Sequence, residues 1–236
     1  ATNRIASVWV TQKTENNVLR GTTLTNNYTY DSYGNITIEV NDFGGGLKAT
    51  TTNTITNSTG SPYVLGVVSV KTAVKERVGV SVTIKDTYTF TAQYRPQSRT
   101  TTYNNNTVST EGFTYDGFGN LTQEQVKAYS ATAWLTTQYQ YDAAGRFMTR
   151  KINPLSQSTD YVFAAPTGTL TSEKDFKNNI ISYEYDGWQR FKKATNPDGT
   201  VKNITWEWQA AGSDRLYNPK EEFTGKPITR IHYDAL

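Results

Sequence analysis

Five aspartates share one setting. Asp31, Asp116, Asp142, Asp186 and Asp234 each follow a tyrosine: Tyr30, Tyr115, Tyr141, Tyr185 and Tyr233. In the first four a second aromatic stands two residues earlier, at Tyr28, Phe113, Tyr139 and Tyr183, and in three of them a glycine comes three residues later, at Gly34, Gly119 and Gly145. Carboxylates invite two chemical readings. A glycoside hydrolase needs a pair of them at one fixed separation across a sugar. A calcium site needs several oxygens converging from closely spaced acids, as in D-x-D loops, and none occurs here. The acids instead recur with the period of the chain. A single aspartate ahead of a glycine fits an Asx-type turn, in which its side chain accepts the amides just downstream. The only histidine, His232, occupies the variable place between Ile231 and Tyr233, a poor position for a Ser-His-Asp base, and a zinc site built on several histidines is excluded. With no cysteine, disulfides and thiolate metal sites are excluded too. No catalytic residue, metal or cofactor is expected, and the chain is read as not an enzyme.

The elements that carry these residues are hairpins. Tyr28 and Tyr30 share one face of a strand, as do Ile36, Ile38 and Val40 after the turn, so YTYDSYGNITIEV reads as strand, turn, strand. Gly34 supplies the positive φ that a tight hairpin loop demands. The same pattern returns at FTYDGFGNL, YQYDAAGRF and YEYDGWQRF, and begins again at IHYDAL. Degenerate copies keep the aromatics and lose the acid, at Tyr88–Phe90, Tyr161–Phe163 and Trp206–Trp208. From Thr91 onward the period is 22 to 26 residues. The chain is therefore predicted to be all-β, a single array over 1–236 with irregular leading repeats over 1–90 and regular ones over 91–236. Before Tyr28, strands are expected at Arg4–Val10 and Val18–Leu24 with a turn at Glu15–Asn17, and Val78–Phe90 reads as strand, turn, strand. Glu124–Trp134 is the one segment with any helical character, and it is weak.

Composition narrows the partners. A net charge of +3 without a long Lys/Arg block argues against nucleic acid. No run approaches the roughly 20 apolar residues of a membrane-spanning helix. The N-x-S/T triplets at Asn27, Asn35, Asn57, Asn105, Asn120 and Asn203 fall mostly at turns, where asparagine and threonine are favoured anyway.

The Y-x-Y-D-x-x-G-N/R-L/F pattern, together with the Pro197-Asp198-Gly199 turn, resembles the Rhs or YD-repeat family. The likeness is strong from Phe113 to Leu236, good over Tyr28–Val40 and diffuse over Asn41–Tyr88. Tyr63–Phe90 looks similar to the region where toxin B components and SpvB-like proteins enter their YD repeats. The resemblance implies a twisted antiparallel sheet that spirals into a hollow shell, which in bacterial members encloses a toxic polypeptide, with relatives among Tc-toxin B and C components, Rhs effectors, wall-associated proteins and teneurins. It also implies a secreted or cell-surface bacterial location. The chain lacks the proline- and aspartate-rich core signature and the variable tail of complete members, so it is expected to be a piece of a longer protein.

On this reading the partners are polypeptide cargo or the remaining repeats of the same shell. The aromatic pairs form a ladder on one sheet face, stacking between repeats. A rival reading makes the chain an extracellular adhesion or carbohydrate-binding module, whose exposed rings, Trp188, Trp206 and Trp208, would contact glycans.

Overall fold

The computed structural model describes the backbone of residues 8–211 and 214–230, and the side chains of these except 208–218 and 230. The described residues hold strands and turns with no helix. The strands are β1 (Gln12–Asn17), β2 (Thr22–Tyr30), β3 (Ile36–Asp42), β4 (Lys48–Ser58), β5 (Val64–Arg77), β6 (Val80–Phe90), β7 (Pro96–Tyr103), β8 (Asn106–Tyr115), β9 (Leu121–Ala128), β10 (Leu135–Tyr141), β11 (Met148–Ile152), β12 (Ser158–Phe163), β13 (Leu170–Lys174), β14 (Ile180–Tyr185), β15 (Phe191–Thr195), β16 (Val201–Ala211), β17 (Asp214–Phe223) and β18 (Thr229–Arg230). The chain divides into two compact units. One holds residues up to Thr114 together with Glu124–Leu135; the other holds Tyr115–Gln123 together with residues from Thr136 onward. In the first, β1 to β8 pair in sequence order, every pair antiparallel. In the second, β10 to β18 do the same. The chain is thus an all-β meander of hairpins.

Several boundaries differ from those expected. The segment Glu15–Asn17 belongs to β1 and the turn follows it, closed by the Arg20 amide on the Asn17 carbonyl; Asn17 also caps it through Oδ1. Residues 8–10 are not in a strand, and Arg4–Ser7 lie outside the described residues. Val80–Phe90 is one unbroken strand, because the turn that divides this region is at Val78-Gly79, before it. The first half of the weakly helical segment, Glu124–Ala128, belongs to β9 and not to a helix.

Among the described residues no aliphatic or aromatic side chain is fully buried, while the polar Asn26 is only 7 % exposed. A meander of this kind gives each strand a neighbour on either side and little cover above or below. Its stability therefore rests on ladder hydrogen bonds, cross-strand pairs and the turns.

Two regularities extend the repeat beyond its letters. Five hairpins carry a register shift at the second aromatic: Thr29/Tyr30, Thr89/Phe90, Gln140/Tyr141, Val162/Phe163 and Glu184/Tyr185. In three of these a threonine fills the shift and donates its hydroxyl to the carbonyl inside the aromatic pair: Thr37 to Thr29, Thr149 to Gln140 and Thr171 to Val162. A bulge recurring at one place adds the same local bend and twist to each hairpin. The second regularity is a half-period. In the second unit, turns open at Asp142, Asn153, Ala164, Asp175, Asp186 and Asn196, each closed by its own amide donating to a carbonyl four or five residues on. These positions are ten or eleven residues apart, so the 22-residue unit is two strand-and-turn steps, with turns alternating between the two ends of the strands.

Candidate functional site

Asp31 shows what the recurring acid does. Its Oδ1 accepts the amides of Tyr33 and Asn35, both at 2.9 Å, and its Oδ2 accepts the side-chain amides of Asn35 at 2.9 Å and Asn57 at 2.8 Å. Asn57 Oδ1 in turn accepts the Gly66 amide at 2.8 Å. One carboxylate thus closes its own turn and fastens it to β4 and β5. The Asn35 side chain is the first cause holding the Asp31 carboxyl down at about 2. Asp116 accepts the Phe118 and Asn120 amides, and Asn120 Nδ2 reaches on to the Gly145 carbonyl at 2.8 Å, tying one turn to the next. Asp142 accepts the amides of Arg146 and Phe147, and the Phe147 amide leads the causes that lower its carboxyl. Asp186 accepts the Trp188 and Arg190 amides, and Arg190 Nε returns to its Oδ2 at 2.7 Å. Every described motif aspartate is spent on its own loop. Asp234, Tyr233 and His232 lie outside the described residues, and among the described residues no cluster of three or more His, Cys, Asp or Glu is placed to hold a metal ion.

The half-period adds caps that the Y-x-Y-D pattern does not contain. Asn153 accepts the Leu155 and Gln157 amides, and Asp175 accepts those of Lys177 and Asn179, with Asn179 Nδ2 on its second oxygen at 2.8 Å. Their sequence signal is an Asn or Asp eleven residues after Asp142 and Ala164, without an aromatic pair ahead of it. Only a search at half the period finds it.

The glycines of the motif have a second role. Gly34, Gly119 and Gly145 all sit at positive φ, at 86°, 92° and 65°. A side chain on Gly145 would come within 2.4 Å of the Phe118 ring, on Gly168 within 3.1 Å of Phe147, and on Gly34 within 3.2 Å of Trp9. Each of these glycines is the floor on which a ring from an earlier part of the chain rests. The tyrosines make a further tie: Tyr30 Oη donates to the Val10 carbonyl at 2.7 Å and Tyr141 Oη to the Leu121 carbonyl at 3.1 Å.

In all four described copies the two aromatics are half-buried and the residue between them is exposed, so the pair shares a face. The ladder is not purely aromatic. Opposite the first ring stands Glu39 (for Tyr28), Lys151 (Tyr139) or Ala194 (Tyr183), and in the degenerate copies Arg99 (Tyr88) or Glu173 (Tyr161). Ring-on-ring contact joins these pairs to the apolar residue after a turn, or one ring of a pair to the other: Phe147 stacks on Phe163 at 4.9 Å, Phe191 meets Tyr183 and Tyr185 edge-on, and Tyr88 stacks on Phe90. Burial, then a hydrogen bond to Glu173, pushes the Tyr183 phenol up to about 12. The alternate face of the second unit carries an ion-pair row, Arg150–Asp160–Lys174, in register across three strands. Of the three tryptophans proposed to touch a ligand, Trp188 projects from its turn, 83 % exposed. The Trp206 ring is half-buried with the Arg190 guanidinium 4.8 Å above it. The Trp208 side chain lies outside the described residues.

No protein-family model matches the chain, and no curated protein matches it in sequence. Solved structures do. Over 94 % of its length the chain superposes on a chain of the TcdB2-TccC3-Cdc42 crystal structure with a TM-score of 0.51 at 12 % identity, spanning 15 % of that chain. A Photorhabdus luminescens Tc holotoxin pore with a mutated TccC3 matches over the same share with a TM-score of 0.47 at 10 % identity, again spanning 15 % of that chain. A porin-like protein from Bacteroides uniformis matches over 90 % of this chain and 91 % of its own, but with a TM-score of only 0.28. The first of these establishes a shared fold with a Tc toxin component.

Proposed function

We propose that this chain is a non-catalytic wall segment of a larger β-shell of the Rhs and Tc-toxin kind, which encloses or presents another polypeptide. The observation that carries this reading is a pair of hairpin meanders that have no buried apolar core among the described residues, each keeping its aromatic pairs on one half-covered face. The fold shared with a Tc toxin component supports it, as does the chain's spanning about a seventh of that component. The motif carboxylates, the natural candidates for hydrolysis, already accept the amides of their own turns, which favours a structural role over a catalytic one. A secreted bacterial toxin complex is the setting that goes with this reading.

Rows of tyrosine interleaved with acids, bases and small residues suit weak contact with an extended chain of mixed sequence, since a flat ring accepts varied apolar neighbours. The test is retention of a permanently unfolded polypeptide, reduced and carboxymethylated, on the immobilised chain. Retention is expected, and it should weaken in the Tyr161→Ser, Tyr183→Ser double variant. Retention of glycans without the unfolded polypeptide, lost instead with Trp188→Ala, would replace this reading with an adhesion module.

A further inference from the structure

The longest hairpin of the first unit opens a fork. β5 pairs with β4 from Val64 to Glu76, but with β6 only from Val70 onward. β6 meanwhile runs on to Phe90, paired along its other margin with β7. The outer margin of β4 is closed in the same region: Asn57 is fastened to Asp31 and Asn35, and Asn53 Nδ2 donates to the Ile36 carbonyl at 3.0 Å. The outer margin of Val64–Ser69 has no strand beside it among the described residues.

Where β5 and β6 part, the sheet face holds a cavity of about 520 Å³. Ile36, Val67, Val68, Tyr88, Phe90 and Pro96 give it an apolar lining, with one acid, Glu39, and one base, Lys71, also present. Residues 49–70 contain no charged side chain at all. Open strand margins in stable proteins are usually protected by charges, proline, bulges or a covering element. Here β5 bulges twice against β4 and bends at Gly66, whose φ is 79°, so the margin is offered in short pieces; it carries no charge and is rich in valine, with Leu65 and Tyr63 partly or largely exposed beside it.

We infer that the fork is a strand-addition site: an uncharged, extended segment of a partner polypeptide pairs with the Val64–Ser69 margin of β5 and sets an apolar side chain into the cavity beside Val68 and Phe90. Main-chain hydrogen bonds then supply affinity, and the cavity selects the side chain. The neutral stretch and the near-cancelling Glu39 and Lys71 select a neutral partner over a charged one. This site stands apart from the wall reading and does not depend on it.

The test uses the whole 236-residue chain and a fluorescent hexapeptide of alternating threonine and leucine. Anisotropy should report binding, and amide exchange should slow at Val64–Ser69. A peptide with alternate backbone nitrogens methylated should bind at least about tenfold more weakly, as should one with lysine in place of leucine. Val68→Lys should weaken binding similarly, with exchange across β2 and β3 unchanged to show that the fold is kept, and Leu155→Ser, an exposed position in the second unit, should bind like the parent. Absence of binding, or binding indifferent to methylation, would overturn the inference. So would a dimer of the chain that protects this margin and leaves the peptide unbound.

Discussion

Gly145→Ala should be among the most damaging single-methyl additions in the second unit, lowering stability by about 3 kcal/mol in a denaturant titration. Two costs combine there. Gly145 has a φ of 65°, where an L side chain costs about 1–2 kcal/mol. The added carbon would also stand 2.4 Å from the Phe118 ring, so the ring must be displaced from the turn it covers. Gly199 separates the two terms. Its φ is 80°, but nothing lies within 4 Å of the place a methyl would take, so Gly199→Ala should lose only the backbone cost of about 1–2 kcal/mol. Adding Phe118→Ala to Gly145→Ala should recover part of the steric loss, because the two positions are coupled through one contact. Equal losses at Gly145 and Gly199 would show that the ring does not rest on the glycine.

Asp31→Ala should change the acid response of the first unit more than removal of any other single cap there. The folded carboxyl titrates at about 2, below the ordinary aspartate value of about 3.9 in an unfolded chain. A depressed carboxyl contributes stability that is complete above the unfolded value and is lost as pH falls through the folded one. The native chain should therefore lose stability between about pH 4 and pH 2, and Asp31→Ala should be less stable at neutral pH with a shallower decline across that window. Faster amide exchange at Asn35 and Gly66, the two ends of the Asp31–Asn57 relay, is the local readout. An unchanged acid slope would mean that Asn35 and Asn57 do not hold the charged form.

The fold was legible where one residue type does one local job. The alternation in Tyr28–Val40 and the fixed Asp and Gly described the hairpin and its turn, because turn chemistry is local and survives in a single sequence. What a turn touches next is not local. Nothing in Asp31 announces Asn57, 26 residues on, or Gly66 beyond it. The threonine in the bulge was hidden because threonine is common throughout the chain and its role appears only in the register. The half-period was hidden because Asn153 and Asp175 cap turns without an aromatic pair to mark them. The charged residues facing the tyrosines were hidden because strand partners depend on register, which the bulges shift by one residue at each of the five aromatic hairpins. Of the candidate ligand aromatics, Trp188 is open to solvent at its turn, while Trp206 has its ring under Arg190, a pairing of residues 16 positions apart.

The most direct test of the central claim uses the two faces of a single strand. A photo-reactive benzoylphenylalanine placed at 183, on the ring-bearing face, or at 184, on the alternate face, reports what each face meets in the native assembly. The wall reading predicts cross-links from 183 to polypeptide outside the repeats and none of that kind from 184. Equal cross-linking from both positions, or cross-links from 184 alone, would contradict it.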